Sequence, residues 1–175
     1  MSSVAKQRAL IEARGIVKNF HLGDRVVAGI KQASFSILDG SFTVIHGPSG
    51  SGKTTLLNIL TGLDEPSEGS VLYQGKDLYE LSEPDLAHFR ARTMGIVYQT
   101  SYLVRSLNVL ENVALPLYFL GYSRADAERE ARESLRRVGM ETHAETLPGL
   151  LSGGEQQRVA IARALVSHPD HIVAD

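Results

Sequence analysis

The 175 residues contain no cysteine. That absence rules out disulfides, thiolate metal sites and a cysteine nucleophile. Charge of one sign is also missing, because 18 basic residues stand against 20 acidic ones and leave a formal net charge of −2. The chain therefore has no basic footprint for nucleic acid and no strong pull towards an anionic membrane. There is no long hydrophobic run. The most apolar stretch, "NVLENVALPLYFLGY", carries Glu111, two asparagines and Pro116, and is too short and too polar to span a bilayer. The opening "MSSVAKQRALIEARG" lacks the apolar core of a secretory signal. Any work at a membrane must then pass through a partner. The six histidines form no metal-ligand spacing, and His168 and His171, flanking Pro169, read as exposed or structural. No internal repeat or low-complexity segment is present.

What remains is ordinary soluble material, 43% hydrophobic and 22% charged, enough for one domain with a real core. Short strands are expected around Ile11 to Val17 and Ala33 to Leu38, with Asp39-Gly40 as a turn before "SFTVI". That run, apolar and β-branched, suits a buried parallel strand. A glycine-rich loop follows, then a helix with Leu56, Ile59, Leu60 and Leu63 at helical spacing, stopped by Gly62 and Pro66. "SVLY", the Gln74-Gly75 turn and "KDLYEL" read as a β-ribbon. Ser82 opens a helix to about Arg92, and "GIVYQ" is a further strand. Beyond it the chain is mainly helical. Asn108 with Glu111 forms a capping box, and Ser123 caps an amphipathic helix whose apolar side is Ala127, Ala131, Leu135 and Val138. Glu128/Arg132 and Glu133/Arg137 stand at i,i+4 on its solvated side, each pair contributing roughly 0.2–0.5 kcal/mol, and Gly139 ends it. Alternating strands and helices imply an α/β fold with a mainly parallel sheet, interrupted by a helical insert.

"GPSGSGKTT" comprises Gly47, Pro48, Ser49, Gly50, Ser51, Gly52, Lys53, Thr54 and Thr55 and matches the phosphate-loop pattern G-x-x-x-x-G-K-[ST]. A polyphosphate needs donors on several sides. Glycines let the backbone wrap close and aim its N–H groups inward, and the helix beginning near Lys53 adds its own unpaired N–H groups and positive dipole end. Lys53 is expected to reach the β- and γ-phosphates, and the Thr54 hydroxyl to bind Mg²⁺.

"LLSGGEQQRVAIARAL" holds a second capping box, Ser152 with Glu155. Gly153 and Gly154 in the first turn cost helix propensity, about 1 kcal/mol each in a helix interior. They make sense if the helix tip must lie against a ligand with no side chain between. Val159, Ala162, Leu165 and Val166 form the helix's core face.

A phosphate loop followed about a hundred residues later by "LSGGEQQRVAIARAL" resembles the ATP-binding cassette (ABC) ATPases, in which the second motif is the signature sequence. "TGLDEPSEGSVLYQGKDL", "GIVYQ" and "LNVLENVALPL" resemble the branch of lipoprotein-releasing and macrolide-exporting ATPases and of the cell-division ABC ATPase. Arg105, where many relatives carry proline, departs from it, as does His46 before the loop. The resemblance implies a P-loop NTPase fold with an antiparallel N-terminal β part, a parallel core and a helical subdomain at about 100–157 within one nucleotide-binding domain over 1–175. It implies an ATPase that uses ATP and Mg²⁺, sits on the cytoplasmic face of a membrane, pairs head to tail with a second ATPase domain and drives a membrane permease, with export or extraction as the direction. Position by position, it implies that Phe20 stacks on adenine, that Gln99 senses Mg²⁺ and the γ-phosphate, and that Ser152, Gly153, Gly154 and Glu155 approach the ATP held by the partner's loop. Non-transport ABC ATPases are the competing class.

"HIVAD" resembles the Walker B strand, with Asp175 holding Mg²⁺ through water. In the family a catalytic glutamate comes next, and the D-loop and switch histidine follow later; none is present here. General-base catalysis contributes about 10²- to 10⁴-fold, so a chain ending at Asp175 is expected to bind Mg-ATP and hydrolyse it very slowly. The resemblance also places a further strand between Walker B and "SFTVI", so the natural protein is expected to continue past Asp175.

Overall fold

The computed structural model describes residues 8–23 and 25–175. They divide into two compact units, one up to Leu86 and one from Ala87 onwards.

In the first unit, β1 (Ala9–Leu22) and β2 (Arg25–Leu38) form an antiparallel pair, and β3 (Glu68–Tyr73) and β4 (Lys76–Asp77) complete a sheet of order β2-β1-β3-β4. The strands run far beyond the two short ones expected from the sequence. Pairing continues through Phe20↔Val27 to Leu22↔Arg25, where Leu22, Val26 and Val27 are exposed. Ladder bonds rather than burial hold this end, so a hydrophobic pattern does not reveal it. Ile11, Ala13, Ile16, Val71 and Tyr73 are buried from the sheet, as are Ile59 and Leu60 of α1 (Lys53–Leu60). The ribbon expected at "KDLYEL" is shorter than anticipated, because the chain turns into a 3₁₀ helix at Leu78–Glu80, capped by the Asp77 carboxylate. Tyr79 donates its hydroxyl to the carbonyls of Ile59 and Asp64 at 2.7 Å each, which fixes the end of α1.

"SFTVI" forms no strand, and among the described residues nothing pairs with it. Phe42 is 94% exposed and Val44 66%. A β-branched apolar run becomes a strand only against a partner ladder that satisfies its backbone groups.

In the second unit, β5 (Met94–Val97) and β6 (His171–Ala174) pair in parallel, Met94 beside His171 and Val97 beside Ala174. The helix expected after Ser82 is α2 (Glu83–Thr93). The helical insert is present as α3 (Val109–Phe119) and α4 (Arg124–Arg137), followed by α5 (Gly153–Leu165). The capping boxes at Asn108 and Ser152 are both formed, and the Ser123 hydroxyl caps α4. Val109, Val113 and Leu117 of α3, Ala131 and Leu135 of α4, and Val159 and Ala162 of α5 belong to one buried cluster with Met140 and Val166. Ser134, buried in α4, donates to the Ala162 carbonyl at 2.8 Å. The expected Glu133/Arg137 pair is present at 3.3 Å, whereas Glu128 pairs backwards with Arg124 at 2.7 Å and Arg132 reaches out to Glu145 at 2.9 Å. Flexible side chains on a solvated face have several partners of similar energy, and spacing alone does not choose among them. Gly95 packs β5 directly on α5, since a Cβ there would stand 2.5 Å from the Ala164 carbonyl oxygen and 2.9 Å from Pro169 Cγ. His171 is half-buried rather than exposed, and desolvation lowers its pKa while Asp170 opposes the shift.

Asn112, at 0% exposure, is the buried polar anchor of the insert. Its Oδ1 accepts from Val104 N at 2.7 Å, and its Nδ2 donates to the carbonyls of Val104, Leu107 and Asn108 at 2.9–3.0 Å. Asn112→Leu keeps the volume and strands those groups. A buried group left without a partner costs roughly 1–3 kcal/mol, so urea denaturation is expected to show a loss of about 3 kcal/mol. No helix among the described residues is long and apolar enough to cross a membrane.

Candidate functional site

In the first unit the glycine-rich loop runs into α1, and its cap differs from those of α3, α4 and α5. Gly52 occupies the N-cap at φ +87, and no side chain caps the helix. The first N–H groups of a helix have no acceptor within the helix, and here no neighbouring side chain from the cap covers them. Gly52 also lies under β2, where a Cβ would collide with the Gly29 carbonyl oxygen. Gly50, at φ +76, would meet nothing. Lys53 folds back over the loop and donates to the carbonyls of Gly47 and Pro48 at 3.1 and 3.0 Å. Its ammonium thus stands over the loop backbone, where it can trade carbonyl oxygens for phosphate oxygens. This donor set, one mobile cation and a helix start without a side-chain cap, suits a polyphosphate.

Phe20 lies near the end of β1, half-exposed. Lys18 Nζ stands 5.5 Å from the centre of its ring, held by the Asp64 carboxylate at 2.5 Å and the Glu65 carbonyl at 2.7 Å. The Lys18 side chain is only 14% exposed, so this cation–π contact is partly desolvated and stronger than one in water. Gly29 packs beneath the ring edge, where a Cβ would come within 2.5 Å of Phe20 Cε2. One glycine of β2 therefore touches both the Phe20 ring and Gly52 of the loop. Gly29→Ala is expected to swing the ring aside; if Phe20 meets the base of ATP, ATP binding weakens several-fold while tripolyphosphate binding stays unchanged. Isothermal titration with both ligands separates the two effects.

In the second unit, Asp175 N donates to the Val97 carbonyl at 2.9 Å, continuing the β5–β6 ladder. Gln99 follows β5 by two residues and Asp175 follows β6 by one, so both lie past the same ends of a parallel pair. Ser152 caps α5. Its N–H and hydroxyl donate to Glu155 Oε2 at 2.8 and 2.7 Å, and the Ser152 hydroxyl and backbone N–H hold the Glu155 carboxyl below its usual range. Glu155 thus turns back onto the cap. Gly153 and Gly154 are exposed, and a Cβ on either would meet nothing within 4 Å. The chain's own packing does not require glycine at either place.

A family model described as ABC transporter matches residues 30–175. The chain belongs to the ABC transporter family. It is 44% identical over 171 residues to the lipoprotein-releasing system ATP-binding protein LolD of Chromohalobacter salexigens, covering 98% of this chain and 72% of that protein. An uncharacterized ABC transporter ATP-binding protein of Thermotoga maritima is 41% identical over 168 residues, 96% of this chain and 72% of its own. Among solved structures, the dimeric post-hydrolysis state of the ATP-binding cassette MJ0796 bound to ADP and Pi matches with a TM-score of 0.88 at 39% identity, over 94% of this chain and 73% of that one. CbiO1 from Clostridium perfringens, part of the ABC transporter complex cbiONQ, matches at 0.77 and 26% identity, over 97% and 66%.

This ABC ATPase carries site residues that the sequence did not single out. Gly29 had a signal, since a glycine inside a strand marks a close backbone approach. Lys18 had none, because its partners Asp64 and Glu65 lie 46 and 47 residues away. Among the described residues no three His, Cys, Asp or Glu side chains cluster as a metal centre.

Proposed function

We propose that this ABC ATPase is the energy-supplying subunit of a transporter. It works as a head-to-tail pair of ATPase domains on the cytoplasmic face of a membrane, with a permease as its partner. The observation that carries the reading is the tip of α5: a capped helix start, exposed, with two glycines whose Cβ positions are open space. A helix tip that costs stability, with glycines that no neighbour among the described residues requires, fits an anion held by another chain.

In this reading Phe20 stacks on the base and Gly47 to Thr55 wrap the phosphates. Lys53 would hold the β- and γ-phosphate oxygens, and the Thr54 hydroxyl and Asp175 carboxylate would hold Mg²⁺, which would supply charge neutralisation at the transferred group. Gln99 meets the ion and the γ-phosphate, and Ser152, Gly153 and Gly154 donate to the nucleotide on the partner's loop, with Glu155 fixing the cap. The likeness to the lipoprotein-releasing proteins favours export or extraction over import.

Sedimentation of the full chain with Mg-ATP tests the pairing. A shift from monomer to dimer that depends on ATP and is lost in Lys53→Ala supports it, and a monomer at saturating ATP sinks it. Affinity purification from detergent-solubilised native membranes tests the partner. A co-purifying integral membrane protein in stoichiometric amount is expected, and its absence favours a non-transport role.

A further inference from the structure

The segment after β5 runs from Tyr98 to Asn108 without helix or strand. Such a stretch has its backbone groups satisfied by something else, and here α5 does much of that. Gln157 Nε2 donates to the Tyr98 carbonyl at 3.3 Å. Arg163 Nη2 donates to the Ser101 carbonyl at 2.6 Å and Nη1 to the Tyr102 carbonyl at 2.9 Å. The Ser101 hydroxyl donates to Gln156 Oε1 at 3.2 Å. Both flanks of Gln99 are therefore fixed to one helix, with only Gln99 and Thr100 between the pinned residues.

Arg163 is the strongest of these contacts and the least expected. It lies in the half-buried part of α5, and its guanidinium meets two carbonyls. Burial lowers its pKa, and the nearby Tyr98 ring oxygen acts in the opposite sense. A planar fork delivers two N–H groups to two neighbouring carbonyls at once, which a lysine ammonium cannot do in the same fixed geometry. The stretch it grips includes Tyr102 at φ +44, a backbone setting unusual for a tyrosine. The Tyr98 and Tyr102 rings meet edge to face at 5.4 Å across the grip.

We infer that Arg163 is a positioning residue for Gln99: with Gln157 it clamps the backbone on both sides of that glutamine to the helix that begins at Gly153. The inference rests on the role given to Gln99 above. The six steps from Gln157 to Arg163 span about 9 Å of helix, enough to hold the loop at two separated points. A movement of α5 then carries Gln99 with it. Gln99 supplies the contact, and Arg163 decides where that contact is made.

Two measurements on the full chain test this. The first needs no nucleotide. In Arg163→Met, hydrogen exchange of a peptide covering residues 98–104 is expected to quicken about tenfold, with the body of α5 still protected. Arg163→Lys should recover part of the protection, and Gln157→Ala should loosen the Tyr98 side without touching a charge, should Arg163→Met fold poorly. Unchanged exchange in the variants overturns the clamp. The second reads Mg-ATP affinity relative to Mg-free ATP. Gln99→Ala and Arg163→Met are each expected to lower this ratio about fivefold, and the double variant no further, because groups acting through one contact are not additive. If Gln99→Ala lowers the ratio and Arg163→Met leaves it alone, positioning is overturned while the Gln99 role stands. If Gln99→Ala itself has no effect, the role given to Gln99 fails and this inference fails with it.

Discussion

Gly52→Ala should abolish nucleotide binding. Two costs fall on this one methyl group. At φ +87 an L-residue pays roughly 1–2 kcal/mol for the left-handed setting. The new Cβ would also collide with the Gly29 carbonyl oxygen, a backbone atom of β2 that cannot swing away as a side chain can. The loop must move, and with it the N–H groups that begin α1. A loss of ATP affinity of at least about 100-fold is expected in a titration, equal to about 2.7 kcal/mol. Gly50→Ala is the internal control. It carries a similar strain at φ +76, but its Cβ meets nothing, so it should lose only the roughly 1–2 kcal/mol of that backbone setting and keep most of its affinity. If the two variants bind ATP equally well, the close approach of loop to strand is not what shapes the site.

Gly153→Asp should separate folding from turnover. A Cβ there meets nothing within 4 Å among the described residues, and Ser152 still caps the helix. A carboxylate in the first turn meets the positive end of the helix dipole, a gain of roughly 0.3–1 kcal/mol. The melting temperature should therefore hold or rise slightly. If the tip faces the γ-phosphate on a partner chain, the same carboxylate meets like charge at close range. ATP turnover and ATP-dependent dimerisation should both fall at least about 100-fold, a change of about 2.7 kcal/mol in barrier. ATP binding to the isolated chain should not change. Normal turnover in Gly153→Asp would remove the α5 tip from the site.

The features legible in the sequence were those written into neighbouring residues. Asn108 with Glu111, Ser123, and Ser152 with Glu155 each declare a helix start within four residues, and all three caps formed. The phosphate loop is likewise a local pattern, because its function is a local backbone shape. The less legible features depend on distance along the chain. Lys18 is defined by Asp64 and Arg163 by Ser101 and Tyr102, and nothing near either residue announces those partners. "SFTVI" shows the reverse limit: its strand pattern is clear, but pairing is a property of two segments. Glu128 had two arginines within helical reach, and only the folded helix shows that Arg124 takes it.

Gly95 gives the second unit a mechanical property. Between most helices and strands a layer of side chains acts as a cushion that can shear and repack. At Gly95 the cushion is missing, and the backbone of β5 rests on the backbone of α5 at Ala164. Such a joint has little compliance. Because Asp175 is laddered to Val97 two residues further along the same strand, a push on α5 reaches that carboxylate nearly undamped. The helix and the strand pair then act as one lever, with an acid at the far end.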